Sequence, residues 1–255
     1  MFQSERHQKI LDMLQSEGAV RLRELRDIFG VSDDSIRKDL DILEQKGLLE
    51  RTYGGAVAKK ETLPMLKAEQ NRGRNRNAKR LIAQEAVRLI GERDMVFLDV
   101  STCNLAIAEL LAKSERELTV ATNMIDILAV LAKNPHIRLI FAGGVINKRR
   151  DGFWGPMTQD FISRLKPDIA FVGAVGVDAK KNSVATYDVE DGLSKAAIVQ
   201  LAKRAYVVAE AAKLSDEGNY NYAAFDAFAG LITDAEPSAD VKKAAEEFVL
   251  ELILP

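Results

Sequence analysis

Polar side chains suited to holding a phosphate and a hydroxyl-bearing ligand follow the predicted strands between residues 95 and 234. Ser101 and Thr102 precede a predicted helix, where hydroxyls and free backbone N–H groups together suit a phosphate. Asn123 offers both a donor and an acceptor to a sugar hydroxyl. In open parallel sheets, ligands bind outside the carboxyl ends of the strands. We therefore expect one ligand site to contain Asp99, Ser101, Thr102, Cys103, Asn123, Gly143, Gly144, Asp188, Asp191, Lys195 and Lys213.

Each of these residues also has a purely structural interpretation. Ser101-Thr102 is compatible with a simple helix cap, Gly143-Gly144 with a turn, and a single lysine with a solvated surface. Cys103 has two interpretations: a thiol of low pKa beside a phosphate loop, or a small buried residue. Their coincidence at one predicted sheet edge favours the ligand site.

The elements that would position these side chains alternate between strand and helix. Helical periodicity of the apolar residues precedes the first strand and separates the later ones. This alternation predicts an α/β domain with a mostly parallel sheet, covered on both faces. The predicted strands are Met95–Asp99, Leu118–Thr122, Ile137–Ala142, Asp168–Gly173, Ala205–Ala209 and Gly230–Thr233.

The first part of the chain has a different pattern, centred on the stretch Val31–Val57. Ser32 is a good N-cap for a helix. Ile36, Leu40 and Leu43 then form one apolar stripe, which leaves a polar and cationic face exposed. Two shorter apolar patterns upstream predict two more helices. Three short helices in fewer than 60 residues can bury one small core.

A hairpin is predicted after this helix. Leu48 to Tyr53 form a short strand pattern, and Gly54-Gly55 can supply the positive φ of a tight turn. A helix with an exposed cationic face followed by a hairpin suits a winged helix-turn-helix that reads double-stranded DNA. The residues expected to contact DNA are Ser32, Ser35, Arg37, Lys38, Arg51 and Tyr53.

Charge counts against a simple electrostatic argument for DNA binding. Residues 1–58 contain eleven Asp and Glu against nine Lys and Arg, so binding would depend on local placement of charge and on paired subunits. A small helical bundle or interaction module without a DNA role therefore stays an alternative. Residues 58–76 are basic and irregular, and are expected to be a linker that either only tethers or also adds phosphate contacts.

Composition excludes several classes of protein. A net charge of −2, 47% apolar residues and 29% charged residues are typical of a globular protein. One cysteine excludes an internal disulfide framework and suits a reducing cytoplasm. With only two histidines, a transition-metal site is not expected. No apolar run is long enough for a membrane span, so no membrane partner is expected.

Two motifs near the N-terminus carry a family likeness. ERHQKIL, and then VSDDSIRKDLDILEQKGLLERTYGGA, resemble the DeoR family of bacterial regulators. Further along, KRLIAQEA, FAGG and DIAFVGAVGVD resemble the family's sensor domain, whose fold is related to ribose-5-phosphate isomerase. RRDGFWG and DFISRL resemble the glycerol-3-phosphate repressor branch. The resemblance implies a winged helix-turn-helix at residues 1–57, a linker at 58–76 and an α/β sugar-phosphate-sensing domain at 77–255.

The sequence departs from the family pattern in the expected ligand site. Ser101-Thr102-Cys103 stands where Gly-Thr-Thr is usual, Glu210-Ala211-Ala212-Lys213 where Asp-x-Ser-Lys is usual, and Asp191 where Glu is common. These changes move a carboxylate and remove hydroxyls. A longer polyol phosphate or a sugar phosphate therefore fits the pattern as well as glycerol-3-phosphate does.

The resemblance implies a cytoplasmic homodimer or homotetramer that binds operator DNA. It would repress a carbohydrate or polyol catabolic operon and be released by a phosphorylated sugar or polyol, with no cofactor and no catalytic residue. The alternative is an isomerase-like enzyme fused to a DNA-binding head, in which Asp188, Asp191 or Glu210 would act as a base and Lys213 as an acid or an anchor.

Overall fold

The computed structural model describes residues 3–17, 19–46, 48–57, 75–147 and 151–255. By its internal contacts the chain divides into two compact units, Met1–Arg74 and Asn75–Pro255. Of the expected linker, residues 58–74 lie outside the described residues.

In the N-terminal unit, the described residues form three helices and a small antiparallel sheet of order β1-β3-β2. The helices pack on one apolar core that includes Ile10, Leu14, Leu25, Ile36 and Leu40. This confirms the winged helix-turn-helix architecture; β1 is an additional strand that the periodicity does not predict. The elements are α1 (Gln3–Glu17), β1 (Ala19–Arg21), α2 (Leu22–Phe29), α3 (Asp33–Gln45), β2 (Glu50–Thr52) and β3 (Gly55–Val57).

Of the two glycines of the wing, Gly55 is required by the close approach of a neighbouring strand, and neither has a positive φ. Gly54 and Gly55 are absent from the described residues with positive φ, so the expected reason for their presence is wrong. A Cβ on Gly55 would lie 1.9 Å from the carbonyl oxygen of Val20. The pairing of β3 with β1 therefore requires glycine at this position.

The C-terminal unit contains a seven-stranded sheet of order β15-β14-β12-β9-β4-β5-β6. Each pairing within it is parallel, which confirms the predicted sheet class. The strands are β4 (Met95–Leu98), β5 (Leu118–Thr122), β6 (Ile137–Phe141), β9 (Ile169–Gly173), β12 (Arg204–Val208), β14 (Gly230–Ile232) and β15 (Glu251–Ile253).

Helices separate these strands, and buried side chains form two apolar clusters. One cluster includes Ile82, Ile107 and Ile127, and the other includes Ile198 and Val241. Adjacent β4 residues belong to different clusters, as expected for a sheet covered on both faces. The helices are α4 (Arg76–Leu89), α5 (Thr102–Leu111), α6 (Ile125–Leu131), α7 (Pro156–Ile162), α8 (Val189–Leu201) and α9 (Ala239–Glu247).

Two smaller antiparallel elements were not predicted from the sequence. A hairpin pairs two short strands, and a three-stranded sheet has the order β10-β11-β13. These strands lie between the carboxyl end of one sheet strand and the next parallel strand, where insertions often build sites. They are β7 (Val145–Ile146), β8 (Phe153–Trp154), β10 (Gly176–Asp178), β11 (Ser183–Thr186) and β13 (Tyr220–Ala223).

Candidate effector site and nucleic-acid interface

The strand order of the large sheet reverses between β4 and β9. From β4 the chain proceeds through β5 and β6 on one side, and returns to β9 on the other. The crevice at such a reversal, outside the carboxyl ends of the strands, is where open α/β sheets bind ligands. Asp99 follows β4 directly, and Gly173 ends β9.

Asp99 is the centre of a buried charged network. Its carboxylate accepts hydrogen bonds from the Gly173 backbone N–H at 3.1 and 3.2 Å and from Asn104 Nδ2 at 2.6 Å. It also forms an ion pair with Lys195, whose Nζ lies 3.6 Å from Asp191 Oδ1. Burial raises the pKa of Asp99; Lys195 opposes that shift and Asp191 adds to it.

The start of α8 supplies the other acid of this network. Asp191 is buried and accepts a hydrogen bond from the Thr186 hydroxyl at 2.6 Å. Asp188 is the N-cap of α8 and accepts from the backbone N–H groups of Glu190 and Asp191. The structure therefore places Asp191 and Lys195 together with Asp99, and gives Asp188 a capping contact.

The start of α5 lies against the end of β9. Ser101 is the N-cap of α5, and its Oγ accepts from the Cys103 N–H at 3.2 Å. A Cβ on Gly173 would lie 2.5 Å from Ser101 Cβ, so this close approach needs glycine. Ser101 and Thr102 are both partly exposed beside these helix N–H groups.

Cys103 is a small buried residue, and the alternative of a reactive thiol is wrong. Burial raises its pKa to about 12; Lys213 and Lys79 lower that pKa by smaller amounts, whereas Glu210 and Asp234 raise it further. These electrostatic interactions also show that the start of α5 adjoins a second charged cluster.

This second cluster surrounds the buried carboxylate of Glu210, which follows β12. Lys213 Nζ lies 2.8 Å from Glu210 Oε1, and Lys79 Nζ lies 3.9 Å from the same oxygen. Asn75 Nδ2 donates to Glu210 Oε2 at 2.7 Å. Burial lowers the pKa of Lys79, and Lys213 contributes in the same direction although Glu210 opposes it.

The remaining expected ligand residues follow β5 and β6. Asn123 is buried and donates to the Phe153 carbonyl at 2.9 Å, whereas its Oδ1 accepts no hydrogen bond from the described residues. Gly144 lies against Thr158, whose hydroxyl donates to the Gly143 carbonyl at 3.1 Å. Gly143 and Gly144 thus have contacts with α7, and none with the Asp99 network is described.

Sequence reasoning missed three groups at this sheet edge. Asn104 holds Asp99, Lys79 faces Glu210, and the segment around Gly152 packs on Val100 and on the Asn123 carbonyl. Lys79 could have been found, because it lies three residues before Ile82 on the apolar stripe of α4. Asn104 lies only five residues after Asp99, so it too could have been considered. The contacts of Gly152 with Val100 and Asn123 join distant parts of the chain and leave no local pattern.

A separate cleft of about 520 Å³ lies at the opposite edge of the sheet, where β5 and β6 begin. It is lined by Arg93, Glu117, Leu118, Thr119, Pro135, His136, Ile137 and Arg138, and includes no predicted ligand residue. The Asp99 and Glu210 clusters therefore lie outside this cleft, and these clusters mark the candidate effector site.

Four of the six residues expected to contact DNA lie on α3 or at its N-cap. Ser32 is its N-cap, confirming that local prediction, and its Oγ lies 3.0 Å from Ser35 Oγ. Arg37 and Lys38 are exposed. Arg37 Nη1 lies 3.7 Å from Asp34 in an exposed pair, a contact that water and salt weaken. These two cations are accessible to a polyanion.

The two wing residues differ from each other. Tyr53 is fully exposed in the turn between β2 and β3. Arg51 forms an ion pair with Asp41 and donates to the Arg37 carbonyl at 3.3 Å. The structure therefore gives Arg51 a role in tying the wing to α3, beside its predicted contact with DNA.

Sequence reasoning missed Asp39 in the N-terminal unit. Its buried carboxylate accepts from Arg6 Nε at 2.8 Å, lies 2.9 Å from His7 Nε2 and accepts from Gln3 Nε2 at 3.1 Å. Burial alone would raise the pKa of Asp39, but the hydrogen bonds from these side chains hold it below its usual value. Asp39 thereby joins α3 to the first turns of α1.

Other classes of site find no support among the described residues. They contain no group of three or more His, Cys, Asp or Glu side chains that could hold a metal ion. In the same residues no helix is both long and apolar enough to span a membrane.

Comparison with known proteins agrees with this division of the chain. A family model described as the DeoR-like helix-turn-helix domain matches residues 6–62. A second, described as the DeoR C terminal sensor domain, matches residues 74–235. The two matches together cover most of the chain.

Individual relatives are similar along most of their length. The glycerol-3-phosphate regulon repressor of Escherichia coli (strain K12) is 28% identical over 258 residues, covering 100% of both chains. The lactose phosphotransferase system repressor of Lactococcus lactis subsp. lactis is 31% identical over 84% of both. Among solved structures, ribose 5-phosphate isomerase A from Methanocaldococcus jannaschii shares 16% identity over 56% of both chains. Its TM-score of 0.42 is too low to support an inference.

Proposed function

Because the chain belongs to the DeoR family of transcriptional regulators, we propose that it represses a carbohydrate or polyol catabolic operon and is released from DNA by a phosphorylated sugar or polyol. Membership of this family makes the chain a DNA-binding regulator with a sensor domain and not an enzyme. The isomerase-like alternative is therefore abandoned.

The observation that supports a phosphorylated effector most strongly is the presence of two lysines beside the start of α5. Lys79 and Lys213 both lie near the carboxylate of Glu210, and these three residues and Asp234 interact electrostatically with Cys103 in the first turn of that helix. A phosphate on the N–H groups of Thr102 and its neighbours would meet both the helix dipole and these lysines.

The rest of the effector would extend along the sheet edge towards the Asp99 network. Carboxylates accept hydrogen bonds from hydroxyls, and amide oxygens do the same. Asp99, Asp191 and Asn123 offer such atoms, and Asn123 Oδ1 accepts none from the described residues. A polyol or open-chain sugar fits this row of acceptors better than an apolar ligand does.

On the DNA side, Arg37 and Lys38 would contact bases and phosphates in the major groove, with Ser32 and Ser35 at the amino end of α3. Tyr53 and Arg51 would approach the neighbouring backbone from the wing. Because residues 1–58 are slightly acidic, useful affinity needs two DNA-binding domains on two half-sites. We therefore propose a homodimer or homotetramer that acts in the cytoplasm.

A ligand screen followed by a DNA-binding assay tests this proposal. The full chain is heated with a panel of sugar and polyol phosphates, and each stabilising compound is then added to a mobility-shift assay with DNA from upstream of the protein's own gene. We expect one compound to stabilise the protein and release the DNA. Lys213→Ala should abolish both effects and keep DNA binding, whereas Lys203→Ala, an exposed lysine paired with Asp168, should change neither.

Two results would contradict the proposal. Failure of the protein to shift the upstream DNA at low salt would favour a helical interaction module. A normal effector response in Lys213→Ala would show that the site lies elsewhere.

A further inference from the structure

Glu210 divides its two carboxylate oxygens between different partners. Oε1 faces the lysines, with Lys213 Nζ at 2.8 Å in an ion pair whose geometry is too poor for a hydrogen bond. Oε2 accepts from Asn75 Nδ2 at 2.7 Å. Glu210 is only 2% exposed, so its charge depends on these partners and not on water. Any change at the lysines therefore also affects the contact with Asn75.

Asn75 is the residue at which the C-terminal unit begins. It is the N-cap of α4, and its backbone is left-handed, with φ 53 and ψ 38. An asparagine N-cap ordinarily has an extended backbone, and its side chain accepts a hydrogen bond from the helix N–H groups. Here the side chain makes no capping bond and donates to Glu210 instead. Asn75 thus has a second, ordinary capping conformation available once Glu210 moves away.

An anion at the lysines would compete directly with Glu210. Lys213 pairs with Glu210 at 2.8 Å, so a phosphate bound at Lys213 would compete with Glu210 for this cation. A buried carboxylate that loses its cation and faces a new negative charge is strongly destabilised. Glu210 would then move towards solvent, and Asn75 would lose its acceptor.

We propose that Asn75 and Glu210 form a latch by which an anion at Lys213 changes the conformation of the residue where the chain from the DNA-binding unit enters α4. This inference rests on the proposed function, because it takes the lysines as the anion site. In the latched state Glu210 bridges Asn75 and Lys213. In the open state the anion occupies Lys213, and Asn75 caps α4 in the ordinary way.

Two substitutions separate the latch from the anion site. Asn75→Gly removes the hydrogen bond to Glu210 that holds the latched state, whereas glycine is well tolerated as an N-cap, so the variant favours the open state. Glu210→Gln removes the competing charge but keeps an acceptor for Asn75, so it favours the latched state even with an anion present. Asn77→Gly is the matched control, because Asn77 lies on the exposed start of α4 and accepts from Arg80 at 3.3 Å.

The measurement is made on the full chain with inorganic phosphate as the probe, by calorimetric titration and by mobility shift with the upstream DNA. We expect Asn75→Gly to bind phosphate about fivefold or more tightly and to bind DNA correspondingly more weakly without ligand, since the two affinities are linked. We expect Glu210→Gln also to bind phosphate more tightly, but to keep its DNA affinity when phosphate is added. Asn77→Gly should match the wild type.

The latch is overturned if Asn75→Gly has the same phosphate and DNA affinities as Asn77→Gly while Lys213→Ala loses phosphate binding. That result would leave the proposed effector site standing. If Lys213→Ala binds phosphate as the wild type does, the anion site itself is wrong and the latch fails with it. Glu210→Gln that is released from DNA by phosphate as readily as the wild type would also contradict the latch.

Discussion

The two units of the chain each contain a buried aspartate, and the two carboxylates are held in opposite ways. Asp39 accepts from Arg6, His7 and Gln3, which all lie on one short stretch of α1, and its pKa is lowered. Asp99 shares Lys195 with a second acid, Asp191, and burial raises its pKa. Asp39 accepts from several side chains, whereas Asp99 shares its cation with another acid.

This difference corresponds to the work expected of each unit. Asp39 fixes α3 on α1, so Arg37 and Lys38 are presented from a rigid helix. The Asp99 and Glu210 clusters instead contain charges whose balance a bound anion or hydroxyl would alter. A rigid output and an electrostatically adjustable input are what a ligand-controlled DNA binder requires, because a ligand acts only through contacts that differ between states.

The largest effect should come from removing the shared cation of the Asp99 network. Lys195→Met leaves Asp99 and Asp191 buried without it, and we expect a loss of about 3–5 kcal/mol in the free energy of unfolding. Urea unfolding followed by the fluorescence of Trp154, the single tryptophan, reports on this unit. Lys203→Met is the exposed control. Equal stability of the two variants would mean that the network does not depend on its cation.

A smaller effect is expected in the N-terminal unit. Asp39→Asn replaces charged hydrogen bonds to Arg6 and His7 by neutral ones, and should cost about 1.5–3 kcal/mol. Amide hydrogen exchange in α1 and α3 measures this loss, and DNA affinity should fall with it. Asp27→Asn, in an exposed pair with Arg26, should have little effect. Unchanged hydrogen exchange in Asp39→Asn would show that α3 does not depend on the contacts of Asp39 with α1.

Arg37→Ala should affect recognition without affecting stability. If Arg37 contacts bases, we expect the free energy of DNA binding to weaken by about 1–3 kcal/mol. If it contacts a phosphate, we expect the slope of log binding constant against log salt concentration to fall in magnitude by about one. Thermal unfolding and the effector response should stay as in the wild type. Arg23→Ala on α2 is the control, and an equal loss in that variant would argue that only bulk charge matters.

The smallest effect is the pH dependence of these two carboxylates, which should have opposite signs. The lowered pKa of Asp39 gives stability that is present above the unfolded value of about 4 and is lost as the pH falls through the folded pKa. Asp99 has a raised pKa, so its contribution is fully present below about 4 and is lost as the pH rises through the folded pKa.

Hydrogen exchange in wild type and Asp39→Asn, measured on both sides of pH about 4, checks the direction predicted for Asp39. The difference between the two proteins should shrink as the pH falls below about 4. Comparing wild type with Asp99→Asn by Trp154 fluorescence checks the direction predicted for Asp99. If the stability difference between wild type and variant grows as the pH falls for both Asp39→Asn and Asp99→Asn, the two carboxylates do not have opposite pH dependence.

Local patterns predicted the features that depend on neighbours in the chain. The cap at Ser32, the apolar stripe of α3 and the alternation of strands with helices all follow from short-range periodicity and chemistry. The family motifs added the identity of both domains. Asp39 also had a local signal, because it lies three residues after Ile36 and four before Leu43, on the buried stripe.

The contacts that give the site its charge balance could not be predicted in this way. Asn75 and Glu210 are 135 residues apart, and Asp99 and Lys195 are 96 apart. Only the strand order brings them together. Gly55 could not be explained from local sequence either, because the close approach of β1, and not the turn before β3, requires glycine there. The low-pKa thiol considered for Cys103 is excluded because burial, which the local sequence did not reveal, dominates there.

The central claim is that an anion at the sheet edge controls DNA affinity. The most direct test measures the dissociation constant of the upstream DNA with and without saturating effector, and that of the effector with and without saturating DNA, on one preparation of the full chain. The account predicts that the two ratios are equal, and that both fall to one in Lys213→Ala while DNA binding persists. Effector binding that leaves the DNA affinity of the wild type unchanged would contradict it.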